Sequence, residues 1–253
     1  MLAAERKNLI LEELQENKKV VVSVLSEKFQ VSEETIRRDL DKLEKEGICT
    51  KSYGGAVLKE NINFDMPFSI RKKKNLEGKK VIGKIMADII EEGDHIFLDP
   101  STTAIAIMNE ARDKKITVIT NSIELLLGAT EENWTLISTG GKLDKEYMAL
   151  VGPSTITSID TMNADKVILS CKGLDREKGL TDANELFSQV KQSMVKASKM
   201  KILAVDYTKF DNIAFSHICH IADIDMVVTD RKPSELWLKY FEDNGIECRY
   251  GLE

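Results

Sequence analysis

The clearest hydrophobic pattern in the chain lies between residues 31 and 43, where apolar side chains recur at i, i+4 and i+7 as Ile36, Leu40 and Leu43. This spacing puts the three side chains on one stripe of an α-helix. Ser32 precedes the stripe and is a favourable N-cap, because its hydroxyl can accept a hydrogen bond from a first-turn N–H. The pattern therefore predicts a capped amphipathic helix with polar residues on its other faces.

The flanking segments predict the other elements of a small DNA-binding unit. Apolar spacing predicts helices over residues 2–16 and 20–29, the second with the inward-facing side chains Val21, Val24, Leu25 and Phe29. Residues 48–50 and 56–58 are typical of two strands joined by a glycine-containing turn. Three helices and a β-hairpin form a winged helix-turn-helix, a motif that places one helix in the major groove of DNA.

Cationic and hydroxylic side chains are left on the other faces of the third helix and on the hairpin. We predict DNA contacts from Ser32, Thr35, Arg37, Arg38, Lys42, Lys51 and Tyr53. Arg6 is a further candidate for the same cationic face. An isolated arginine pair would more often be solvated, and it is the neighbouring helices and hairpin that favour the DNA-binding interpretation.

The charge balance refines this prediction. The net charge is −6, and residues 1–58 contain ten Lys or Arg against eleven Asp or Glu. A protein that coats DNA non-specifically would be basic throughout. The sequence therefore predicts a sequence-specific binder with a local cationic face. Such a binder depends on a homo-oligomer, a dimer or a tetramer, to present several recognition helices at once.

From residue 75 onward, strand and helix patterns alternate. An amphipathic helical pattern covers residues 79–91, and apolar β-branched runs follow at 95–98, 116–120, 134–139, 166–170, 201–206 and 226–230. Such runs separated by helices indicate a parallel sheet covered on both faces. We predict a DNA-binding domain at 1–58, a connector at 59–74 and a larger α/β domain at 75–253. The basic run at 71–74 is predicted to be solvated, with phosphate contact as the alternative.

Hydroxyls, glycines and lysines follow these predicted strands, close to the predicted helix starts. Ligands bind at the carboxyl ends of parallel strands, and N–H groups at a helix start attract anions. Together the strand ends predict a pocket for a phosphorylated polyol. Its candidate residues are Asp99, Ser101, Thr102, Thr103, Asn121, Ser122, Gly140, Gly141, Lys142, Lys172, Gly173, Glu185, Asp206 and Lys209.

Composition favours a cytoplasmic protein without membrane association or cofactor. No apolar run approaches the ~20 residues of a membrane span, and no signal-peptide pattern opens the chain. The four cysteines are scattered, which indicates reduced thiols. His217 and His220 would lie on opposite faces of a strand, with Cys219 sharing a face with His217 only. We therefore expect no metal site.

The N-terminal pattern closely resembles the DeoR family of bacterial transcriptional repressors. This resemblance runs through Arg6, Ile10, Leu14, the VSEETIRRDL segment and the hairpin ending in Tyr53-Gly54-Gly55-Ala56. In the C-terminal half, the loop at Asp99 resembles the family's Asp-Ser-Gly-Thr-Thr segment. Other family marks are matched by Asn121-Ser122, Gly140-Gly141, residues 191–194, and Asp206 with Lys209. Pro100-Ser101 departs from the family's Ser-Gly, which removes a backbone donor and adds a Cβ.

The resemblance implies a repressor with a sugar-phosphate sensor domain that is similar in fold to ribose-5-phosphate isomerase. For this chain it predicts a repressor of a carbohydrate-use operon that a phosphorylated sugar releases from operator DNA. Two alternatives stay open. One is an activator of the same kind. The other is an isomerase-like enzyme with a DNA-binding domain, whose acid–base groups would come from Asp99, Asp175, Asp182 and Glu185. We expect these acids to hydrogen-bond sugar hydroxyls instead.

Overall fold

The computed structural model describes residues 1–59, 68–128 and 133–251, and the chain divides into two compact units, Met1–Arg71 and Lys72–Glu253. The first unit contains α1 (Ala3–Asn17), β1 (Lys19–Val21), α2 (Val22–Phe29), α3 (Glu33–Lys45), β2 (Cys49–Ser52) and β3 (Gly55–Leu58). Helix α4 (Phe68–Lys73) carries the chain from the first unit into the second. Residues 60–67 of the predicted connector lie outside the described residues.

The core of the first unit forms around α3. Ile36, Leu40 and Leu43 are fully buried, as their helical spacing predicts. They belong to one apolar cluster that also contains Ile10 of α1. Ser32 caps the helix, since its hydroxyl accepts a hydrogen bond from the N–H of Thr35 at 3.3 Å.

The predicted helix at residues 20–29 is wrong at its start. Lys19–Val21 instead form β1, which pairs with β3 in a three-stranded antiparallel sheet of order β1-β3-β2. Leu25 and Phe29 are buried as predicted, whereas Val21 and Val24 are 46% and 58% exposed. A run of valines suits a strand as well as a helix, and the later helix start brings Val22 to the buried face.

The second unit is an α/β domain. Its helices are α5 (Leu76–Ile89), α6 (Thr102–Glu110), α7 (Ile123–Gly128), α8 (Pro153–Asp160), α9 (Glu185–Lys196) and α10 (Glu235–Asp243). Its strands are β4 (His95–Leu98), β5 (Thr117–Thr120), β6 (Thr135–Ser138), β7 (Lys142–Asp144), β8 (Ala149–Val151), β9 (Ala164–Leu169), β10 (Gly173–Asp175), β11 (Gly179–Asp182), β12 (Ser198–Ala204), β13 (Ser216–Cys219), β14 (Met226–Thr229) and β15 (Glu247–Tyr250).

Seven strands form one parallel sheet in the order β15-β14-β12-β9-β4-β5-β6. Successive strand residues point to opposite faces, and both faces are covered. Phe97 belongs to an apolar cluster that includes side chains of α8, α9 and α10, whereas its neighbour Ile96 belongs to a second cluster with side chains of α5 and α6. The predicted parallel sheet between two helical layers is confirmed. No helix in the described ranges is long and apolar enough to cross a membrane.

The order of strands along the chain reverses between β4 and β9. From β4 the sheet continues through β5 and β6, and from β9 it continues the opposite way through β12, β14 and β15. Three features are absent from the sequence prediction: the edge strand β15, the hairpin β7-β8, and a second sheet of order β10-β11-β13. A reversal of this kind opens a crevice at the carboxyl ends of the two central strands.

Candidate functional site

The first unit presents α3 as the candidate DNA-contact helix. Arg37 and Arg38 are exposed, and each is paired with an acid one turn earlier on the helix. Glu33 lies 2.5 Å from Arg37, and Glu34 lies 3.2 Å from Arg38. Exposed pairs of this kind contribute little free energy. Both guanidinium groups can therefore exchange a glutamate for a phosphate or a base at small cost.

The other predicted DNA-contact residues surround this helix. Lys51 on β2 pairs with Asp41, and this hydrogen bond lowers the pKa of Asp41 and raises the pKa of Lys51. Tyr53 is fully exposed at the turn between β2 and β3, and Lys42 is exposed on α3. The hydroxyls of Ser32 and Thr35 lie 2.9 Å apart and hydrogen-bond to each other.

The prediction that Arg6 belongs to the cationic face is wrong. Arg6 is only 7% exposed, and its Nε donates to Oδ2 of Asp39 on α3 at 2.5 Å. Asp39 is itself buried on the core side of that helix. Arg6 therefore joins α1 to α3 inside the first unit, a partnership across 33 residues that no local pattern reveals.

In the second unit, Asp99 lies at the strand-order reversal, directly after β4. It is fully buried, and its oxygens accept hydrogen bonds from the N–H of Ser101 at 3.2 Å and from the N–H of Ser170 at 3.0 Å. Ser170 directly follows β9, so this one carboxylate connects the ends of both central strands. Its third partner is the ammonium group of Lys191, at 2.9 Å.

Lys191 of α9 is the residue here whose role the sequence did not reveal. Its ammonium also donates to Asp182 at 2.6 Å and to the carbonyl of Ser170 at 2.7 Å. Burial alone would lower the pKa of Lys191, but the carboxylates of Asp182 and Asp99 outweigh burial and hold it above its ordinary value. The sequence does place Lys191 between the apolar residues Val190 and Met194, on the buried face of α9. This position could have indicated a buried lysine.

Helix α6 begins beside Asp99. Ser101 caps it, since its hydroxyl accepts a hydrogen bond from the N–H of Ala104 at 3.0 Å. Ser101 has φ −82°, a conformation open to any residue. The backbone therefore does not require the glycine that the family usually has at this position. Thr102 and Thr103 are buried in the first turn.

At the end of β5, Asn121 is completely buried and its Nδ2 donates to the carbonyl of Leu150 at 2.8 Å. Its Oδ1 accepts no hydrogen bond in the part of the chain that the structure describes. Ser122 is also buried, and its hydroxyl caps α7 by accepting from the N–H of Leu125 at 3.3 Å. This strand end therefore offers one unsatisfied acceptor.

The two glycines after β6 lie next to α8. Both have positive φ, 66° at Gly140 and 122° at Gly141. Thr155 donates its hydroxyl proton to the carbonyl of Gly140 at 2.7 Å, and the same hydroxyl occupies the space that a Cβ on Gly141 would need. Packing against Thr155 therefore explains Gly141, and the positive φ explains Gly140, without a bound ligand. Lys142 is exposed at the start of β7.

The ends of β9 and β12 supply the remaining candidates. Gly173 lies against the carbonyl of Asn212, where a side chain has no space, and Lys172 is half-buried. Asp206 caps a 3-10 helix, Tyr207–Lys209, by accepting from the N–H of Thr208 at 3.0 Å. Lys209 is half-buried and makes no ion pair with any described residue.

Lys209 lies close to the segment that follows β9, because its neighbour Phe210 forms a parallel bridge with Leu174. Burial raises the pKa of the Cys171 thiol to about 12, while the charges of Lys191 and Lys209 oppose the rise. Lys209 and the Asp99 network therefore both lie next to the segment that follows β9. Glu185, by contrast, is exposed in the first turn of α9, and its carboxylate accepts from Gln189 at 3.0 Å.

The placement predicted for the two histidines is wrong. Strand β13 ends at Cys219, so His220 begins a new turn and its ring lies 5.0 Å from that of His217, centroid to centroid. Among the residues that the structure describes, no group of three or more His, Cys, Asp or Glu side chains is arranged to hold a metal ion.

Family models match both units. Residues 6–61 match the DeoR-like helix-turn-helix domain, and residues 74–231 match the DeoR C terminal sensor domain. Across the full chain, the protein is 39% identical over 248 residues to the HTH-type transcriptional regulator YulB of Bacillus subtilis (strain 168), covering 98% of this chain and 96% of that one.

Other relatives include a repressor and an activator. The HTH-type transcriptional repressor GlcR of Bacillus subtilis (strain 168) is 33% identical over 248 residues, covering 98% of this chain and 96% of its own. The L-fucose operon activator of Escherichia coli (strain K12) is 32% identical over 235 residues, covering 91% and 96%. Ribose 5-phosphate isomerase A from Methanocaldococcus jannaschii resembles 54% of this chain and 55% of its own at 14% identity, with a TM-score of 0.41.

A helix-turn-helix unit followed by a parallel-sheet sensor domain defines a ligand-responsive class of DNA-binding transcriptional regulators. Both family models and the full-length relatives agree with this architecture. The chain belongs to the DeoR family.

Proposed function

We propose that the edge of the second unit at the β4–β9 reversal binds a phosphorylated sugar. In this proposal, binding releases operator DNA from the first unit, and the chain represses a carbohydrate-catabolism operon. The observation that carries the proposal is Lys209, a half-buried ammonium without an ion-pair partner in the described residues. Its neighbour Phe210 forms a parallel bridge with Leu174, in the segment that follows β9, and sheets with a reversed strand order take their ligands at such strand ends.

The neighbouring groups suit the rest of such a ligand. The capped start of α6, at the carboxyl end of β4, supplies backbone N–H groups and the side chains of Thr102 and Thr103. Asn121 Oδ1 is an acceptor that still lacks a donor among the described residues, which suits a water molecule or a sugar hydroxyl. We assign the phosphate to Lys209 and the hydroxyls to the strand ends around it.

The same geometry supports a binding role over catalysis. An isomerase needs a carboxylate that is able to take a proton from its substrate. Asp99 instead accepts hydrogen bonds from two backbone N–H groups and forms an ion pair with Lys191. Asp182 forms an ion pair with the same ammonium group. Both acids are held in structural contacts, so we propose that the protein is not an enzyme.

The repressor assignment has one competitor, an activator of the same architecture. This alternative is supported by the similarity to the L-fucose operon activator of Escherichia coli, whose name describes an activator. A reporter fused to the regulated promoter decides between them, because deleting the gene raises output for a repressor and lowers it for an activator. We further propose that the protein acts in the cytoplasm as a homo-oligomer, because paired helices read paired half-sites.

Replacing Lys209 with alanine is expected to weaken sugar-phosphate binding by about 1.5–3 kcal/mol, the usual contribution of a hydrogen bond to a charged group. A thermal-shift screen should include fructose 1-phosphate, fructose 6-phosphate, glucose 6-phosphate, ribose 5-phosphate and the free sugars. Wild-type protein should be stabilised by one phosphorylated member. Lys199→Ala is the control, because Lys199 is exposed and pairs with Asp165 near the start of β9, at the end of the strand opposite to Ser170. An unchanged response in Lys209→Ala, or stabilisation by a free sugar alone, would contradict the phosphate role.

Replacing Arg38 with alanine is expected to cost about 1–3 kcal/mol of operator affinity if the side chain contacts a base. A suitable probe is a duplex that the protein selects from random-sequence DNA, with binding measured by gel shift. Lys45→Ala is the matched control, since Lys45 is exposed in the last turn of the same helix. Equal affinity of Arg38→Ala and wild type for the duplex would remove Arg38 from the recognition surface.

A further inference from the structure

Asp230, directly after β14, contacts two segments that are distant in sequence. Its side chain is 2% exposed. Oδ1 accepts a hydrogen bond from the N–H of Tyr207 at 2.7 Å, and Oδ2 accepts one from Nδ2 of Asn75 at 3.3 Å. One buried carboxylate therefore joins the 3-10 turn after β12 to the residue that precedes α5.

The Asn75 end of this connection is tightly built. Asn75 has φ 49°, a left-handed conformation uncommon outside glycine, and it lies between α4 and α5. Lys79 fixes the same turn by donating to the carbonyl of Lys74 at 2.6 Å. A Cβ on Gly78 would lie 2.5 Å from both Oδ2 of Asp230 and Nδ2 of Asn75, so an alanine here would displace one or both side chains. This is also the stretch by which the chain enters the second unit.

The Tyr207 end belongs to the candidate effector site. The turn Tyr207–Lys209 follows Asp206, and both Asp206 and Lys209 are proposed ligand residues. Residue 231 adds a second hold on this turn, because the guanidinium of Arg231 lies over the Tyr207 ring at 3.7 Å from its centroid. A movement of the turn would therefore change the contacts of Tyr207 with Asp230 and Arg231.

We propose that Asp230 is a positioning residue that couples the effector turn to the chain entry at Asn75. An anion bound by Lys209 shifts the turn, and the carboxylate cannot follow Tyr207 without changing its bond to Asn75. Effector binding thus favours one conformation of the α4–α5 turn. A ligand shifts a conformational equilibrium only when it binds the two conformations with different affinity. This inference rests on the proposed function, because it assigns the route by which that site acts.

The test measures backbone hydrogen exchange in the full chain with and without the selected DNA duplex, so it does not require the effector. Coupling is reciprocal, and the N–H groups of the turn are bonded to Asp230 and Asp206, which makes them good reporters. In wild type, duplex binding should change exchange at residues 207–209 by about fivefold or more, the low end of usual coupling factors. In Asp230→Asn the change should vanish, since an amide replaces an acceptor beside Asn75.

Two further variants make the result decisive. Asp225→Asn is the matched control, because Asp225 flanks the other end of β14 and accepts the N–H of Lys201 at 2.7 Å. It should keep the wild-type response. Gly78→Ala disturbs the same carboxylate from the α5 side and should lose the response, which covers the case in which Asp230→Asn does not fold. A turn that ignores DNA in wild type, or that responds in both Asp230→Asn and Gly78→Ala, would overturn the proposal.

A second arm separates this proposal from the effector assignment. This arm uses a sugar phosphate that stabilises the protein in the thermal screen. Asp230→Asn should bind this sugar phosphate with the wild-type Kd, but its affinity for the duplex should no longer fall when the sugar phosphate is added. Loss of ligand affinity together with an intact fall in duplex affinity at saturation would contradict a positioning role. If no sugar phosphate binds, the proposed effector is wrong, and the exchange experiment still decides whether Asp230 couples the two segments.

Discussion

Lys191→Met is expected to lower the free energy of unfolding by about 3–5 kcal/mol, the usual cost of removing one partner from a buried ion pair. The variant leaves Asp99 and Asp182 buried with no ammonium between them. Urea denaturation followed by tryptophan fluorescence reports on the second unit, because both tryptophans, Trp134 and Trp237, lie within it.

The control for this experiment is Lys199→Met. Lys199 pairs with Asp165 at 2.9 Å, but its side chain is 79% exposed. Exposed pairs contribute about 0–1 kcal/mol, so the control should unfold close to wild type. Similar losses in the two variants would show that burial of the Asp99–Lys191–Asp182 group does not decide its contribution.

The second large effect is expected in the first unit, at Arg6 and Asp39. Either Arg6→Met or Asp39→Leu should cost about 3–5 kcal/mol, because each leaves one buried charge without its partner. The double variant should recover most of that loss, since well-packed apolar residues can replace a buried pair at little cost. Hydrogen exchange of the α1 and α3 amides in the full chain measures the effect locally.

Lys7 and Glu46 provide a matched comparison. They connect α1 to the end of α3 at 2.7 Å, as Arg6 and Asp39 do from within, but both are substantially exposed. Lys7→Met should therefore change exchange in α3 very little. A double Arg6→Met/Asp39→Leu variant as unstable as the single variants would show that the charges themselves, and not their mutual compensation, hold the helices together.

The sequence predicts elements whose evidence is local. The stripe of Ile36, Leu40 and Leu43 has a helical period, and the central strands are apolar β-branched runs, so both are confirmed. The valines at 20–22 fit a helix and a strand equally, and only pairing with β3 decides between them. Strand β10 is three residues long, too short for a periodic pattern.

The candidate sites show the same division. The predicted hydroxyls and lysines after strands fall at one edge of the sheet, because the carboxyl ends of parallel strands come together. The sequence suggests a wrong role for Arg6 and no specific role for Lys191, because their partners Asp39 and Asp99 are far away in sequence. Buried charge pairs depend on tertiary contacts, which a single chain read in order does not display. The ligand roles of the strand-end residues stay predictions.

The Asp99–Lys191 group has a consequence for altering what the protein responds to. Its oxygens and ammonium protons are committed to the scaffold, so a substitution there changes whether the domain folds before it changes which molecule fits. Lys142 and Glu185 are exposed and lie outside this group. A library aimed at a new inducer should therefore diversify exposed candidate positions such as these two and leave Asp99, Asp182 and Lys191 unchanged, so that stability and ligand choice can be varied separately.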